Sequence, residues 1–389
     1  MPQLAARIGR AKPSAIMAVA EKAKRLKAEG RDIISFSIGV PNFLPGPHVY
    51  EAARQAVDKD SGQYGSNRGP DALLDAFLQH IEQIGLTGYT RANCATGIGA
   101  KHVIYNLAEA LLDEGDTIAF PAPYWTSYMD IAEIVNAKVQ LLPCPASQNY
   151  KLTPQQLDEA MAKKPKVFLF NNPSNPTGMV YTKDEIVALA DVLVKYPDTW
   201  IIADDIYNRM LFDGLEYYNF VLARPELRDR VIFLDSLSKT YGMPGWRLGF
   251  MVGPEVVAKA LVTLNSNHIT NVPEVVNAAG IAALSGPQDV PEQKRVEFQA
   301  KRDQVMAVFD DPLGLFAGLA ELHLDGEGLA HASLPALCQG RAQDMGRFAG
   351  LGLVLGQGHQ HGLLQLRQHM LGQGRPCRGG AVAVRCGRR

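Results

Sequence analysis

Five short runs of mainly apolar residues constrain the fold of this 389-residue chain more than any other feature. Stretches with helical periodicity separate them, including residues 102–112 and 183–195. The candidate strands are residues 117–120, 166–170, 200–203, 231–234 and 248–252. Strands covered on both faces have continuous rather than alternating apolar sequences, and strands that alternate with helices build parallel sheets. The sequence therefore predicts an α/β fold with a mostly parallel sheet between helices.

Polar side chains follow three of these candidate strands. Asn175 comes after the second run, Asp204 and Tyr207 after the third, and Lys239 after the fourth. Ligands of open α/β sheets bind beyond the carboxyl ends of the strands, and a spacing of roughly 30 residues matches one βαβ unit. A lysine buried there can lose its proton by desolvation and form a Schiff base with an aldehyde. Considered alone, Lys239 fits a solvated surface charge better.

Two loop segments lie among these elements. Gly97 and Gly99, in Thr-Gly-Ile-Gly-Ala-Lys, precede a helix whose exposed N–H groups and dipole favour an anion such as phosphate. A tight turn into a structural helix explains the same residues equally well. The segment Asn-Asn-Pro-Ser-Asn-Pro-Thr-Gly at 171–178 is also typical of a plain loop. Neither segment is specific by itself.

The order of these segments is much more specific than any one of them. A glycine turn is followed by Trp125, Asn-Pro-x-Asn-Pro-Thr-Gly, Asp-x-x-Tyr, Ser-x-Ser-Lys and Gly-Trp-Arg. In this order the chain resembles the class I and II aminotransferases, which are fold type I pyridoxal-phosphate (PLP) enzymes. The resemblance covers roughly residues 12–308 and is strongest to the aspartate aminotransferase-like members.

The resemblance implies a role for each of the central residues. Lys239 is similar to the lysine that forms the Schiff base and later serves as general base. Asp204 matches the carboxylate that pairs with the pyridine nitrogen of PLP. Tyr207 and Asn175 match the side chains that bond its phenolic oxygen, and Trp125 matches the aromatic residue stacked on its ring. The implied catalytic residues are Lys239, Asp204 and Tyr207.

The resemblance also implies residues for the phosphate, the substrate and the partner subunit. Tyr64 matches a tyrosine that reaches the phosphate in the partner subunit, which implies a homodimer with a shared active site. Gly39 matches a backbone contact to the substrate carboxylate, and Trp125 and Asn175 also face the substrate. The phosphate-holding segments contain Gly99, Ala100, Lys101, Ser236, Ser238 and Arg247.

The implied architecture is a large PLP-binding domain and a smaller one. Residues 46–280 match the large domain, with its seven-stranded type of sheet, and residues 1–45 match an N-terminal arm and part of a small α+β domain. Residues 281–309 match the helix that leads into the small domain, whose remainder should follow.

Residues 310–389 do not look like that remainder. They contain no Lys, Ile, Asn, Thr, Tyr or Trp, and Gly fills 16 of the 80 positions. A flexible Gly-rich tail is one interpretation. We favour the other, a reading-frame error in a GC-rich gene, because six residue types vanish at one point. The family's arginine for the substrate carboxylate is not recognisable here, and the context of Arg367 does not match it.

The reaction implied by the resemblance is a ping-pong transamination. An amino group would move from an L-amino acid, aspartate being the commonest donor, to a 2-oxo acid such as 2-oxoglutarate. One alternative is a PLP-dependent C–S or C–C lyase, since the same carbanion can expel a substituent. Another is a PLP-binding protein whose catalysis is impaired because the carboxylate-binding arginine is absent.

Composition narrows the partners and the compartment. A net charge of −1 gives no global field, so we expect no nucleic-acid partner and no membrane-surface binding. No apolar stretch approaches the ~18–20 residues of a membrane span. The five cysteines form no CxxC pair, which favours a reducing, cytoplasmic location. His359 and His361 lack further ligands at metal-binding spacing, so we expect no metal site.

Overall fold

The computed structural model describes residues 3–11, 15–35, 39–59 and 62–310. The remaining tail, including Arg367, lies outside the described residues. The helices are α1 Ala6–Arg10, α2 Ala15–Ala28, α3 Pro47–Asp58, α4 Asp71–Glu82, α5 Ala100–Leu111, α6 Ser127–Ile134, α7 Pro154–Met161, α8 Lys183–Val194, α9 Phe220–Ala223, α10 Leu237–Thr240, α11 Glu255–His268, α12 Glu274–Ser285 and α13 Asp289–Asp310.

Seven strands form one sheet in the order β1-β7-β6-β5-β4-β2-β3. The strands are β1 Cys94–Gly97, β2 Thr117–Ala122, β3 Lys138–Pro143, β4 Val167–Asn171, β5 Trp200–Asp204, β6 Val231–Ser236 and β7 Gly249–Val252. Only β7 runs against its neighbours, since it pairs antiparallel with both β1 and β6. The predicted α/β fold with a mostly parallel, seven-stranded sheet is thereby confirmed.

Side chains of the central strands alternate between two hydrophobic cores, one on each face of the sheet. On β6, Phe233 packs into the core shared with α4, α8 and α12, and its neighbours Ile232 and Leu234 pack into the core shared with α5, α6 and α11. Each fully buried side chain of this size contributes roughly 1.5–3 kcal/mol. Continuous apolar runs are therefore what this sheet requires, because both of its faces are covered.

Strand direction brings several chain segments to one edge of the sheet. Because β7 is antiparallel to both β1 and β6, β1 and β6 run parallel to each other and to β5 and β4. Gly249, which opens β7, pairs with Gly97 at the end of β1 and with Ser236 at the end of β6. The segments that lead into α5 and α10, and the segment that precedes β7, therefore meet at this edge.

Within the described part of the chain, no helix is both long and apolar enough to cross a lipid bilayer.

Candidate active site

Asp204, the last residue of β5, is a buried carboxylate with one oxygen unused. Its side chain is 1% exposed, and Oδ2 accepts a hydrogen bond of 2.5 Å from the Tyr128 hydroxyl. Oδ1 has no hydrogen-bond partner among the described residues. Burial raises the pKa of Asp204 to about 6, against the lowering effect of the Tyr128 hydroxyl and of the Ile206 N–H. A buried acceptor without a donor is costly, so this site is built for an additional donor.

Tyr128 is a site residue that the sequence motifs did not reveal. It lies on α6, three residues after Trp125, and the two rings pack edge to face with centroids 5.5 Å apart. Its hydroxyl holds Asp204 while its ring supports the indole. An aromatic residue at helical spacing from Trp125 is a signal in principle, but core packing produces the same spacing.

A chain of amide hydrogen bonds connects the end of β4 to Tyr207. Asn171 donates from Nδ2 to the Asp204 carbonyl oxygen at 2.6 Å and accepts at Oδ1 from the Asn175 N–H at 2.7 Å. Asn175 in turn donates from Nδ2 to the Tyr207 hydroxyl at 3.5 Å. The sheet edge thus brings Asn175, Asp204 and Tyr207 together, as the sequence predicted.

Lys239 lies on α10, the single helical turn that follows β6. Ser236 caps this turn, because its Oγ accepts a hydrogen bond of 3.0 Å from the Ser238 N–H. The Lys239 Nζ atom lies 5.7 Å from the centre of the Tyr207 ring. The amine therefore faces the same space as the polar groups that follow β4 and β5.

Burial lowers the pKa of the Lys239 amine. The Asp204 carboxylate acts in the opposite direction, and the Arg247 guanidinium lowers the pKa further. A lowered pKa increases the share of neutral amine, which is the form that attacks a carbonyl group and accepts protons.

Gly99 and Arg247 form a positively charged cradle at the start of α5. Gly99 has φ of +89° and precedes Ala100, the first residue of the helix. Arg247 Nη2 donates to the Ile98 carbonyl oxygen at 3.2 Å, and a Cβ atom on Gly99 would overlap the guanidinium group. Backbone N–H groups at a helix start, together with an exposed guanidinium, make an anion site.

Lys101 contacts Trp125 in this structure. Its Nζ atom lies 4.9 Å from the centre of the indole ring, and burial, aided by the Arg247 charge, lowers the pKa of its amine. Lys101 thus lies near both the Trp125 ring and the Arg247 guanidinium.

Two of the predicted residues are on the surface. The Tyr64 side chain is 89% exposed, although it is large and aromatic. Gly39 is exposed as well. These positions leave both residues accessible to a second molecule.

Comparisons with known proteins identify the family of this chain. Residues 31–321 match the family model described as aminotransferase class I and II. An aspartate/prephenate aminotransferase from Cereibacter sphaeroides is 36% identical over 308 residues, which cover 79% of this chain and 77% of that protein. An aspartate aminotransferase from Geobacillus stearothermophilus is 34% identical, and the aligned region covers 77% of this chain and 76% of that protein.

Solved structures give the same result. The aspartate aminotransferase from Rhizobium meliloti superposes with a TM-score of 0.77 at 32% identity, covering 80% of this chain and 78% of that one. The Thermus thermophilus aspartate aminotransferase with maleate gives a TM-score of 0.74 at 28% identity. The superposition covers 84% of this chain and 82% of that one. Pyridoxal phosphate is the cofactor of this family in general. The matched fold and sequence show that the chain belongs to the aminotransferase class I and II family.

Proposed function

We propose that this chain uses PLP to move an amino group between aspartate and 2-oxoglutarate in a ping-pong transamination. Aspartate is proposed as the amino donor because the relatives from C. sphaeroides and G. stearothermophilus are named for it. The observation that carries the proposal is Asp204, whose buried Oδ1 has no partner in the described part of the chain and lies in the same cluster as the Lys239 amine.

The residues at the sheet edge fit PLP. A protonated pyridine nitrogen would supply the donor that Asp204 Oδ1 lacks. The missing side chain of Gly99 leaves room for the Arg247 guanidinium beside the start of α5, where a phosphate needs both. Asn175 and Tyr207 would hold the phenolic oxygen and Trp125 the ring. The phosphate would be held by Gly99, Ala100, Lys101, Ser236, Ser238 and Arg247, with Tyr64 reaching it from the partner subunit.

Different side chains of this chain would serve different steps of the reaction. When bound, PLP supplies an aldehyde for amine exchange and a ring that accepts an electron pair from the substrate Cα. Asp204, as a carboxylate, keeps a proton on the ring nitrogen. Lys239 attaches the cofactor and, once released, accepts the proton from Cα, for which its lowered pKa suits it. Trp125, Asn175 and the Gly39 backbone would orient the substrate.

We also propose a homodimer, a cytoplasmic location and a division into a large and a small domain. An exposed Tyr64 is consistent with a homodimer in which each chain completes its partner's phosphate site. Cys94 and Cys144 are buried free thiols, as in a cytoplasmic protein. Residues 46–280 would be the large domain, residues 281–309 the helix into the small domain, and residues 1–45 an arm that contributes to the small domain.

A product assay tests the reaction. The PLP-loaded protein is incubated with aspartate and 2-oxoglutarate, and we expect glutamate and oxaloacetate in equal amounts. Release of pyruvate and ammonia from amino acids bearing a β-substituent, without glutamate, would instead identify a lyase.

Impaired catalysis is the second candidate function, and one observation favours it. The family match ends at residue 321, and the alignment covers 77% of the C. sphaeroides relative. A PLP absorbance band that does not shift when any amino acid is added would select this candidate. Conversion of aspartate and 2-oxoglutarate into oxaloacetate and glutamate would exclude it.

A further inference from the structure

A buried asparagine on α11 holds the chain segment that carries Tyr64. Asn265 is 1% exposed, and its Nδ2 donates hydrogen bonds to the backbone carbonyl oxygens of Asn67 at 2.9 Å and Thr96 at 2.8 Å. Its Oδ1 accepts a hydrogen bond of 3.0 Å from Asn106 Nδ2. Both amide protons and the amide oxygen are thus used inside the protein. A carbonyl oxygen can only accept, so the two carbonyls fix the orientation of this amide.

These partners belong to three different parts of the fold. Thr96 lies in β1, ahead of the Gly99 cradle, and Asn106 lies in α5, seven residues after Gly99. Asn67 lies in the segment between α3 and α4, three residues after Tyr64. One buried side chain therefore fastens the Tyr64 segment to the strand and the helix on either side of the chain's own anion cradle.

Further contacts fix the same segment next to Asn67. The Arg68 carbonyl oxygen accepts hydrogen bonds from the Thr96 N–H at 2.9 Å and from the Thr96 hydroxyl at 3.1 Å. On the other side of Asn67, Gly65 packs so closely against Glu274 that a Cβ atom would overlap the carboxylate. The backbone is therefore held on both sides of the bond to α11.

Tyr64 itself projects from this fixed segment into solvent. Its side chain is 89% exposed, so the backbone that carries it, rather than packing of its ring, sets its place. Holding the Asn67 carbonyl restricts the positions that the Tyr64 hydroxyl can reach. A side chain restricted in this way loses less conformational entropy when it binds.

We propose that Asn265 is a positioning residue that presents Tyr64 to the phosphate site of the partner subunit. The inference rests on the proposed function, because it requires the homodimer in which Tyr64 reaches that phosphate. Although Asn265 is buried in its own chain, its effect on PLP binding is assigned to the other chain of the dimer.

Hybrid dimers separate an effect on the partner from an effect on the same chain. Lys239→Ala in one chain leaves a single lysine-linked PLP site, in the other chain, and titration with PLP follows its absorbance. When Asn265→Ala and Lys239→Ala share a chain, the remaining site receives Tyr64 from the altered chain. We expect PLP binding there to weaken by about three- to tenfold, because the loss in Tyr64→Phe sets the upper limit. When Asn265→Ala lies in the chain that keeps Lys239, we expect the affinity of a hybrid without Asn265→Ala.

Two further variants sharpen this test. If Asn265 acts through Tyr64, the double variant Tyr64→Phe/Asn265→Ala should bind PLP no more weakly than Tyr64→Phe alone. Asn93→Ala is the matched control, since Asn93 Nδ2 donates to the Gly253 carbonyl oxygen at 2.9 Å, at the opposite end of β1 from the cradle. Asn93→Ala should lose stability and leave PLP affinity unchanged in both hybrids.

The outcomes that contradict the inference differ from those that contradict the proposed function. Weakening in the chain that carries Asn265→Ala, or equal weakening in both hybrids, would show that the residue supports its own site and would overturn the inference. Unchanged affinity in both hybrids would overturn it too. If Tyr64→Phe leaves PLP binding unchanged, or the wild type forms no lysine-linked PLP, the proposed function fails and this inference fails with it.

Amide hydrogen exchange tests the structural step without cofactor or hybrids. The Gly69 N–H donates to the Ser66 carbonyl oxygen at 3.1 Å, within the turn that contains Asn67. We expect this turn to exchange about tenfold faster in Asn265→Ala, and unchanged exchange would overturn the inference. If that variant does not fold, Thr96→Val replaces it, because it removes only the hydroxyl bond to the next carbonyl of the turn. It should show the same pattern more weakly in exchange and in the hybrids, and no effect in either would also overturn the inference.

Discussion

Asp204 is a single residue that serves the proposed function and lowers the free energy of unfolding. Its pKa of about 6 in the folded chain exceeds the value of about 3.9 in an unfolded chain. The folded state therefore binds the proton more tightly, so stability falls as pH rises from about 4 to 6, and the full penalty persists above pH 6.

We predict from this that Asp204→Asn stabilises the cofactor-free protein above pH 6, by on the order of 2–3 kcal/mol. Urea unfolding of both proteins between pH 4 and 8 measures the difference. The advantage of Asp204→Asn should grow from pH 4 to 6 and then level off, while PLP binding is lost. A difference independent of pH would show that folding does not raise the pKa of Asp204.

The Tyr128 hydroxyl supports the ionised form of Asp204, because its hydrogen bond lowers the pKa of that carboxyl. Tyr128→Phe should therefore raise the pKa of Asp204 by about one further unit. The stability difference between Tyr128→Phe and Tyr128→Phe/Asp204→Asn should then keep growing up to about pH 7. Tyr105→Phe is the control, because it removes a surface hydroxyl that is bonded to Glu109 at 2.7 Å. In that background the stability gain from Asp204→Asn should stop growing near pH 6.

The sequence predicted site residues that follow strands and belong to motifs, such as Lys239, Asp204 and Asn175. It did not predict Tyr128 and Asn265, and the reason is physical. Both belong to amphipathic helices, where a buried polar side chain has the same spacing as an apolar one. Tyr128 bonds to a residue 76 positions away in the chain, and Asn265 bonds to one 198 positions away.

The start of α5 shows what a whole element contributes. Gly99 has φ of +89° and ψ of 160°, a conformation that costs other residues about 1–3 kcal/mol. Gly99→Ala should lose that stability and, because the new Cβ displaces Arg247, should also weaken PLP binding by about tenfold or more. Thermal unfolding and a PLP titration measure the two effects.

Gly115→Ala is the matched control for this element. Gly115 has φ of +86°, and a Cβ there would meet no atom of the described residues within 4 Å. Its alanine variant should lose comparable stability and bind PLP as the wild type does. Equal loss of PLP affinity in both variants would show that backbone strain, rather than the Arg247 cradle, governs binding.

The five central strands of the sheet were predictable because each contains a short, mainly apolar run. The other two strands, β1 and β3, were not among the predicted runs. Cys94–Gly97 is buried but has small or polar residues, Cys-Ala-Thr-Gly, instead of a run of large apolar ones, and Lys138–Pro143 is a partly exposed edge strand. Neither has a continuous apolar run, so tertiary pairing rather than composition determines them.

For the whole molecule, the central prediction is a homodimer with shared sites, with a mass about twice 42.4 kDa in sedimentation experiments. Tyr64→Phe should keep this mass and bind PLP about tenfold more weakly, since a hydrogen bond to a charged group is lost. Hybrids of Tyr64→Phe chains with Lys239→Ala chains should regain one site of wild-type affinity per dimer. If Tyr64 served its own chain, no hybrid site would reach that affinity.

Every proposed step of the reaction requires Lys239 as the attachment point of the cofactor. The most direct test is to load the protein with PLP, reduce it with borohydride to fix the linkage, digest it and locate the added mass by peptide mass spectrometry. We predict one adduct per chain, on the peptide that contains Lys239, and none in Lys239→Ala. An adduct on another lysine such as Lys101, or no adduct at all, would contradict the account.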